Sequence, residues 1–559
     1  MKRSLLHSFL LLIFFLPITL EAQEIYVSLA GADGNSGTKD KPLVSVGMAL
    51  RKARELRRLK DPSIEKGIRI IVSEGVYRFN ETLLVRPEDA GTALSPTTIE
   101  AATGASPVFS GGMQLKSWHK ATGKIDGLPA AAKGKIWMTD VSVTDFRQLW
   151  VNGVKAIRAR ERNADSMSRI ISWDHEAQTC RIPITDRKIF SDTEGMEMMI
   201  HQWWAVAFLR IDKAVVKNDT AVLYFKQPES RIQSEHPWPA PWISKETGNS
   251  AFYLTNSIHF LDQPGEWFLD RRQQKLYYYP RTNENMNEAE IIAPLLETLV
   301  KIEGSADRPV SHIYFKGISF QHTGWLRPSQ QGHVPHQAGM YMLDAYKLKI
   351  PGTPDKSGLE NQAWVGRPAA AVEASYTMHT GFEQCRFEHL ASTGLDYKRG
   401  NHYDVIKGNL FKDIGGTAIL AGVFSDESTE VHLPYNPSDE REVCSNLQIS
   451  NNLVTDVTNE DWGSVGIGAG YVRDISIDHN EICEVFYTGI SLGWGWTKTI
   501  NAMRNNKVFR NKIHHYGKHV YDVAAIYTLS AQPGTVISEN YTDSIYIAPY
   551  AHIPSHWFY

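Results

Sequence analysis

Cysteine is scarce in this 559-residue chain: there are four, at positions 180, 385, 444 and 483, with no Cys-x-x-Cys pair. That excludes a disulfide-stapled scaffold and a thiolate site for zinc or redox work, so stability must come from packing. Net charge is almost as scarce. Lys plus Arg number 59 against 62 Asp plus Glu, a formal charge of -3, which leaves no bulk positive field for a polyanion and argues against nucleic acid. No run after residue 20 is long and apolar enough to span a bilayer. What is present is an ordinary globular balance, 42% hydrophobic and 11% aromatic, able to bury a large core.

Lys2 and Arg3 precede an apolar stretch from Leu5 to Leu20, and Leu20-Glu21-Ala22 ends in a small residue suited to cleavage before Gln23. This pattern predicts a signal peptide over residues 1–22 and an exported protein, periplasmic or extracellular, with no membrane span in its mature form.

The C-terminal part repeats. An aliphatic residue, two variable residues, Asn, one variable residue and a second apolar residue recur as Ile406 to Phe411, Ile449 to Val454, Ile477 to Ile482 and Val508 to Ile513, with a fifth copy at Ile537 carrying Asn540. Degenerate copies start at Phe315 and Phe382, the latter with Cys385 in place of Asn. A second apolar pair follows in each unit, as at Gly394-Leu395, Ala418-Ile419, Gly466-Ile467, Gly489-Ile490 and Ala525-Ile526. Units of this size with short apolar runs predict the coils of an all-β parallel β-helix, whose stacked strands close a core that no single coil can close. Asn is expected at the bend because it tolerates left-handed backbone angles, and stacked amides can hydrogen-bond into a ladder.

Ser45 and the apolar positions Val46, Ala49, Leu50, Ala53 and Leu56 predict an N-terminal amphipathic helix that caps the open solenoid end. Asp33 and Asn35 lack the glutamate of a calcium loop, so no metal is assigned there. The expected organisation is residues 23–128 for the cap and first coils, 129–300 for an inserted β-rich domain, and 301–559 for the main β-helix. Alternating stretches such as Ala221 to Phe225 and Glu266 to Tyr279 mark the insert as antiparallel. Trp203 and Trp204 suit a sugar platform or a core, and the core reading is favoured.

Tyr26-Val27-Ser28 with the Asp33-x-Asn35-x-Gly37-Thr38 loop, Leu149 to Val154, Glu266 to Asp270, Thr488 to Trp496 and Asp522 to Leu529 together resemble secreted right-handed β-helix glycoside hydrolases of the pectate-lyase-like type. Glycoside hydrolase family 141 is the nearest, and the likeness covers almost the whole mature chain. The resemblance implies a polysaccharide or oligosaccharide substrate from plant cell walls, pectic or hemicellulosic, with α-L-fucosidase or xylanase activity and no cofactor.

Glycoside hydrolysis needs two carboxyl groups flanking the scissile bond. Asp522, just before the second apolar strand of its coil, is the first candidate, and it matches the acid of the family's Asp-x-Gly-Gly-Ile-Tyr-Thr-Leu pattern with Ala524 and Ala525 in place of the glycines. The family's partner acid is expected in a Leu-Asp-Glu-Gly turn beyond a Trp-containing strand. The sequence ends at Trp557-Phe558-Tyr559, short of that turn, which reads as a C-terminal truncation. Asp461 is therefore the candidate second acid. Candidate substrate contacts are Trp462, Trp494 and Trp496, able to stack on pyranose faces; His432, on the long loop from Phe424 to Val443; His515 and His519; and Asp396, on a face shared between coils and suited to a distant subsite. His514, His515 and His519 lie in a coil loop without helical pattern, so no metal site is assigned. Two further readings stay open: a calcium-dependent polysaccharide lyase using Lys398, Arg399 or Arg473 as base, and a non-catalytic carbohydrate-binding β-helix.

Overall fold

A computed structural model describes residues 22–142, 145–163, 166–345, 362–426 and 429–550. The signal-peptide pattern before Ala22 and the terminal Trp557 lie outside the described residues.

Each repeat lays down three short strands, one in each of three parallel sheets. The first sheet has ten strands, from Gln23–Val27 to Val536–Ser538. The second has nine, from Val76–Arg78 to Tyr541–Ile545, and the third eight, from Leu83–Val85 to Ile526–Thr528. One coil is Val405–Lys407, Leu410–Ile414 and Ile419–Ala421. Equivalent apolar residues stack in register: Ile406 on Ile449, Ile477, Val508 and Ile537. Nearer the N-terminal end the column becomes aromatic, with Phe382 and Phe315 stacked at a ring separation of 4.9 Å, and the second sheet has its own stack of Phe320, Phe387 and Phe411 at 4.9 and 4.6 Å. This is the parallel β-helix that the repeat predicts.

The ladder is present, but its backbone explanation needs correction. The amides of Asn409, Asn452, Asn480, Asn511 and Asn540 link successive coils through Nδ2–H···Oδ1 bonds of 2.9–3.0 Å. Left-handed φ belongs to the residue before each of them: Gly408 (69°), Asn451 (55°), His479 (55°), Arg510 (56°) and Glu539 (56°). The ladder Asn is selected for its side chain. Its Oδ1 also accepts the backbone N–H of the preceding coil's equivalent, and its Nδ2 also reaches a carbonyl of that preceding coil, as from Asn480 to Ile449 in the coil of Asn452. Buried polar groups at the bend are thereby satisfied.

The helix Val46–Leu59 packs Val46, Ala49, Leu50 and Ala53 onto the first strands. Ser45 Oγ caps it by accepting from Met48 N, and Asp33 in turn accepts from Ser45 Oγ (2.8 Å) and Ser45 N (2.9 Å). Asp33 is thus spent on the helix start.

Sheets of seven, five and four strands, antiparallel except where Ile157–Arg158 runs parallel to Glu266–Asp270, occupy the region between the coil ending at Val108–Ser110 and the one opening at Val300–Glu303. One of their hairpins pairs Glu197–Gln202 with Ala205–Lys217. The insert is fastened to the solenoid by buried polar contacts. Lys155 Nζ lies 3.1 Å from Asp413 and 2.7 Å from Asn459, and Trp150 Nε1 donates to Asp413.

Candidate active site

The hairpin between Gln202 and Ala205 turns on two residues, Trp203 and Trp204. Trp203 has φ 34°, at a position where a two-residue hairpin ordinarily takes glycine. A bulky residue persists in such a conformation only when its surroundings hold it, and such strain gathers at functional sites. Trp204 Nε1 donates to the carbonyl of His336 (2.8 Å). The tip of the insert therefore reaches the solenoid and closes a cavity of about 470 Å³ against its last coils.

Asp522 opens into this cavity beside Trp203, Trp496, Tyr527 and His432. Its backbone is also left-handed, φ 59°. The loop that carries it is clamped from the insert: His201 Nε2 donates to the His519 carbonyl (2.7 Å), and Tyr521 N donates to the Trp203 carbonyl (3.2 Å). The His519 ring stacks against both Trp462 (4.5 Å) and Phe486 (4.6 Å), which also meet each other at 5.9 Å. The Asp522 carboxyl is accessible from the cavity, yet the protein around it removes enough water to raise its pKa above the ordinary carboxylate value. Burial alone causes the shift. Burial keeps His336, on the cavity wall, well below the usual imidazole range and hence neutral.

His432 Nδ1 lies 2.7 Å from Glu430 Oε1. A carboxylate only accepts, so Nδ1 is the donor in that contact and Nε2 is left for another partner. The ring stands 5.6 Å from Trp496, whose indole is 39% exposed.

Of the residues expected at the site, the structure brings together Asp522, His432 and Trp496. The others lie elsewhere. Asp461 is 5% exposed, accepts from Ser464 Oγ (3.1 Å) and sits 3.5 Å from His333, outside the cavity lining. Asp396 does point outward from the third sheet, but Arg367 covers it in a buried ion pair. Trp494 is fully buried, and Trp462 and His519 support the Asp522 loop from behind. His515 lies on the second sheet against His514 and Tyr546, away from the cavity. A chain-local reading could not separate these positions, because a loop that covers a strand face is indistinguishable in sequence from one that leaves it open.

Trp203, Trp204, His236, Trp238, His336 and Gln337 also line the cavity. Trp203 is thus a cavity wall, while Trp204 both lines the cavity and packs against the main core as the core reading expected. The glycine-type turn position held by Trp203 was the available signal. Among the described residues, no group of three His, Cys, Asp or Glu is placed to hold a metal ion. No helix among them is long and apolar enough to cross a membrane.

A parallel β-helix whose coils present an acid to an indole-walled cavity defines the chain as a carbohydrate-active β-helix enzyme. Residues 134–281 match the family model described as the GH141 insertion domain. A solved structure described as a glycoside hydrolase is 48% identical, with a TM-score of 0.90 over 96% of this chain and 90% of that one. The chain belongs to the GH141 family of glycoside hydrolases. More distant structures include XylC in complex with xylose, at 12% identity and TM-score 0.46 over 93% of this chain and 66% of that one. Another is the GH136 lacto-N-biosidase from Eubacterium ramulus, at 10% identity and TM-score 0.37 over 93% of this chain and 56% of that one. No curated protein matches.

Proposed function

We propose that this exported glycoside hydrolase cleaves plant cell-wall polysaccharide of the pectic or hemicellulosic kind, with an α-L-fucoside as the bond cut and Asp522 as the proton-donating member of its carboxylate pair. The observation that carries the reading is the Asp522 carboxyl, held in a strained loop at an indole-walled cavity and made harder to ionise by its surroundings. A raised carboxyl pKa suits a group that must keep its proton until the leaving oxygen needs it. A cavity of about 470 Å³, capped by the hairpin tip, suits the end of a glycan better than its middle.

Trp203 and Trp496 are suited to the apolar faces of a pyranose, and Nε2 of His432 to a sugar hydroxyl. Asp461 is too deeply buried for the second acid's role, and among the described residues lining the cavity no carboxylate besides Asp522 is found. Asp522→Asn should lower the release of reducing sugar from an aryl α-L-fucoside and from cell-wall glycan by roughly 10²- to 10⁴-fold, while binding of the sugar persists. Wild-type activity should fall on the alkaline side with an apparent pKa above that of an ordinary carboxyl. Full activity in Asp522→Asn would overturn the assignment, and an unsaturated, ultraviolet-absorbing product whose formation stops with chelator would replace hydrolysis by lyase chemistry.

A further inference from the structure

Five strand steps along the third sheet from Tyr527 lies a second cavity, of about 300 Å³. The outward row runs Tyr527, Ser491, Gly468, Leu420, Asp396, Glu373, so the two cavities stand roughly 24 Å apart at a strand spacing of about 4.8 Å. Loops cover the middle of that row, burying Leu420 and Ser491, and the two cavities share no lining residue.

The charges around the second cavity are unequally matched. Lys398 pairs with Glu373 at 2.8 Å, and Arg367 is consumed by Asp396 and by the Gly422 carbonyl. Arg327 has no such partner. Its guanidinium lies 3.5 Å over the Tyr341 ring and donates to Gln331 Oε1 (2.8 Å), but its buried Nε has no hydrogen-bond partner, and among the described residues no carboxylate stands within ion-pairing distance. Glu229 acts on Arg327 only from beyond ion-pairing distance and is itself paired with Arg210. A half-buried cation so weakly countered is costly, and a guanidinium matches a carboxylate in a planar, bidentate fashion. Glu297, also on the lining, accepts Leu326 N (2.7 Å), and burial and the nearby Glu373 raise its pKa. With Arg367 matched by Asp396 and Lys398 by Glu373, the lining is left with the Arg327 guanidinium as its cation outside an ion pair, together with the hydrogen-bonding oxygens of Glu297 and Glu373.

We propose that this cavity is a second carbohydrate-binding site, selective for an acidic sugar whose carboxylate is held by Arg327 and whose hydroxyls meet Glu297, Glu373 and Lys398. It would bind uronate-bearing glycan at a distance from the Asp522 cavity and does not depend on the chemistry assigned there.

The test is calorimetric titration of the full chain with sodium D-glucuronate, with D-glucose and sodium acetate as controls. Saturable binding of glucuronate is expected, at least tenfold tighter than either control, weakened at least tenfold in Arg327→Met, partly kept in Arg327→Lys, and unchanged in Trp203→Ala. Thermal melts establish that each variant is folded, and a glucuronate-soaked crystal locates the sugar if Arg327→Met does not fold. Equal binding of glucose, equal binding of acetate, indifference to Arg327→Met, loss in Trp203→Ala or density only in the Asp522 cavity would each overturn the proposal.

Discussion

Asp404 is fully buried beneath the first sheet and accepts hydrogen bonds from Thr377 Oγ1 (2.6 Å), Thr380 N (2.7 Å) and Thr380 Oγ1 (2.9 Å). Burial outweighs these bonds and pushes its pKa up to about 7. In the unfolded chain the same carboxyl titrates near its ordinary value of about 4. Between roughly pH 4 and 7 the folded state therefore holds a proton that the unfolded state has released, and stability falls as pH rises through that window and is level above it. Asp404→Asn removes the titration. Its melting temperature should fall less than that of the wild type between pH 5 and 8, by the equivalent of a few kcal/mol, and identical pH profiles in calorimetry would refute the assignment. Asp522 shows a shift in the same direction but faces a cavity, and that difference in access separates a group that can reach substrate from one that only taxes the fold.

At the scale of the element, the ladder and the hairpin do different work. Asn480 takes part in bonds to Asn452 N, Asn452 Nδ2, Ile449 O and Asn511 Oδ1, all buried. Asn480→Ala leaves those partners unsatisfied and should cost about 2–4 kcal/mol in urea unfolding. The hairpin strand Glu197–Gln202 reaches the Asp522 loop through His201, whose ring is buried, kept neutral by a pKa pushed down to about 4, and bonded to the His519 carbonyl three residues before Asp522; with Asp522 as the proposed acid, that bond positions it. His201→Phe retains the bulk and removes the donor. It should reduce kcat about tenfold or more with little change in KM, because the acid is displaced while the cavity wall remains. His201→Gln, which can still donate, should recover much of the loss. Equal kcat in both variants would show that His201 only fills space.

The whole molecule depends on the insert being seated. Lys155 reaches Asp413 and Asn459 on the solenoid and lies 3.6 Å from Glu460, while Glu197 is enclosed by Arg147, Arg158 and Ser329. Lys155→Met strands Asp413 and Glu460 without their cation and should destabilise the protein by the order of 3 kcal/mol. Earlier proteolysis within residues 134–281, together with weaker sugar hydrolysis, is the expected readout. A stable variant with lost activity would instead assign Lys155 a role in the site alone.

The coils were legible in the sequence because strand length, apolar alternation and the ladder Asn are local requirements that every rung meets again. The helix from Val46 was legible for the same reason, and Asp522 could be singled out because it precedes a third-sheet strand. The cavity was not legible. Its walls come from positions as far apart as Trp203, His336, His432 and Asp522, and their meeting is decided by how an antiparallel insert docks on stacked coils. Asp461, Trp494 and His519 carry the side chains that a sugar site needs, yet they are buried or turned to support. Side-chain type is written in the chain itself. Exposure is a property of what packs on top, and only the folded molecule sets that.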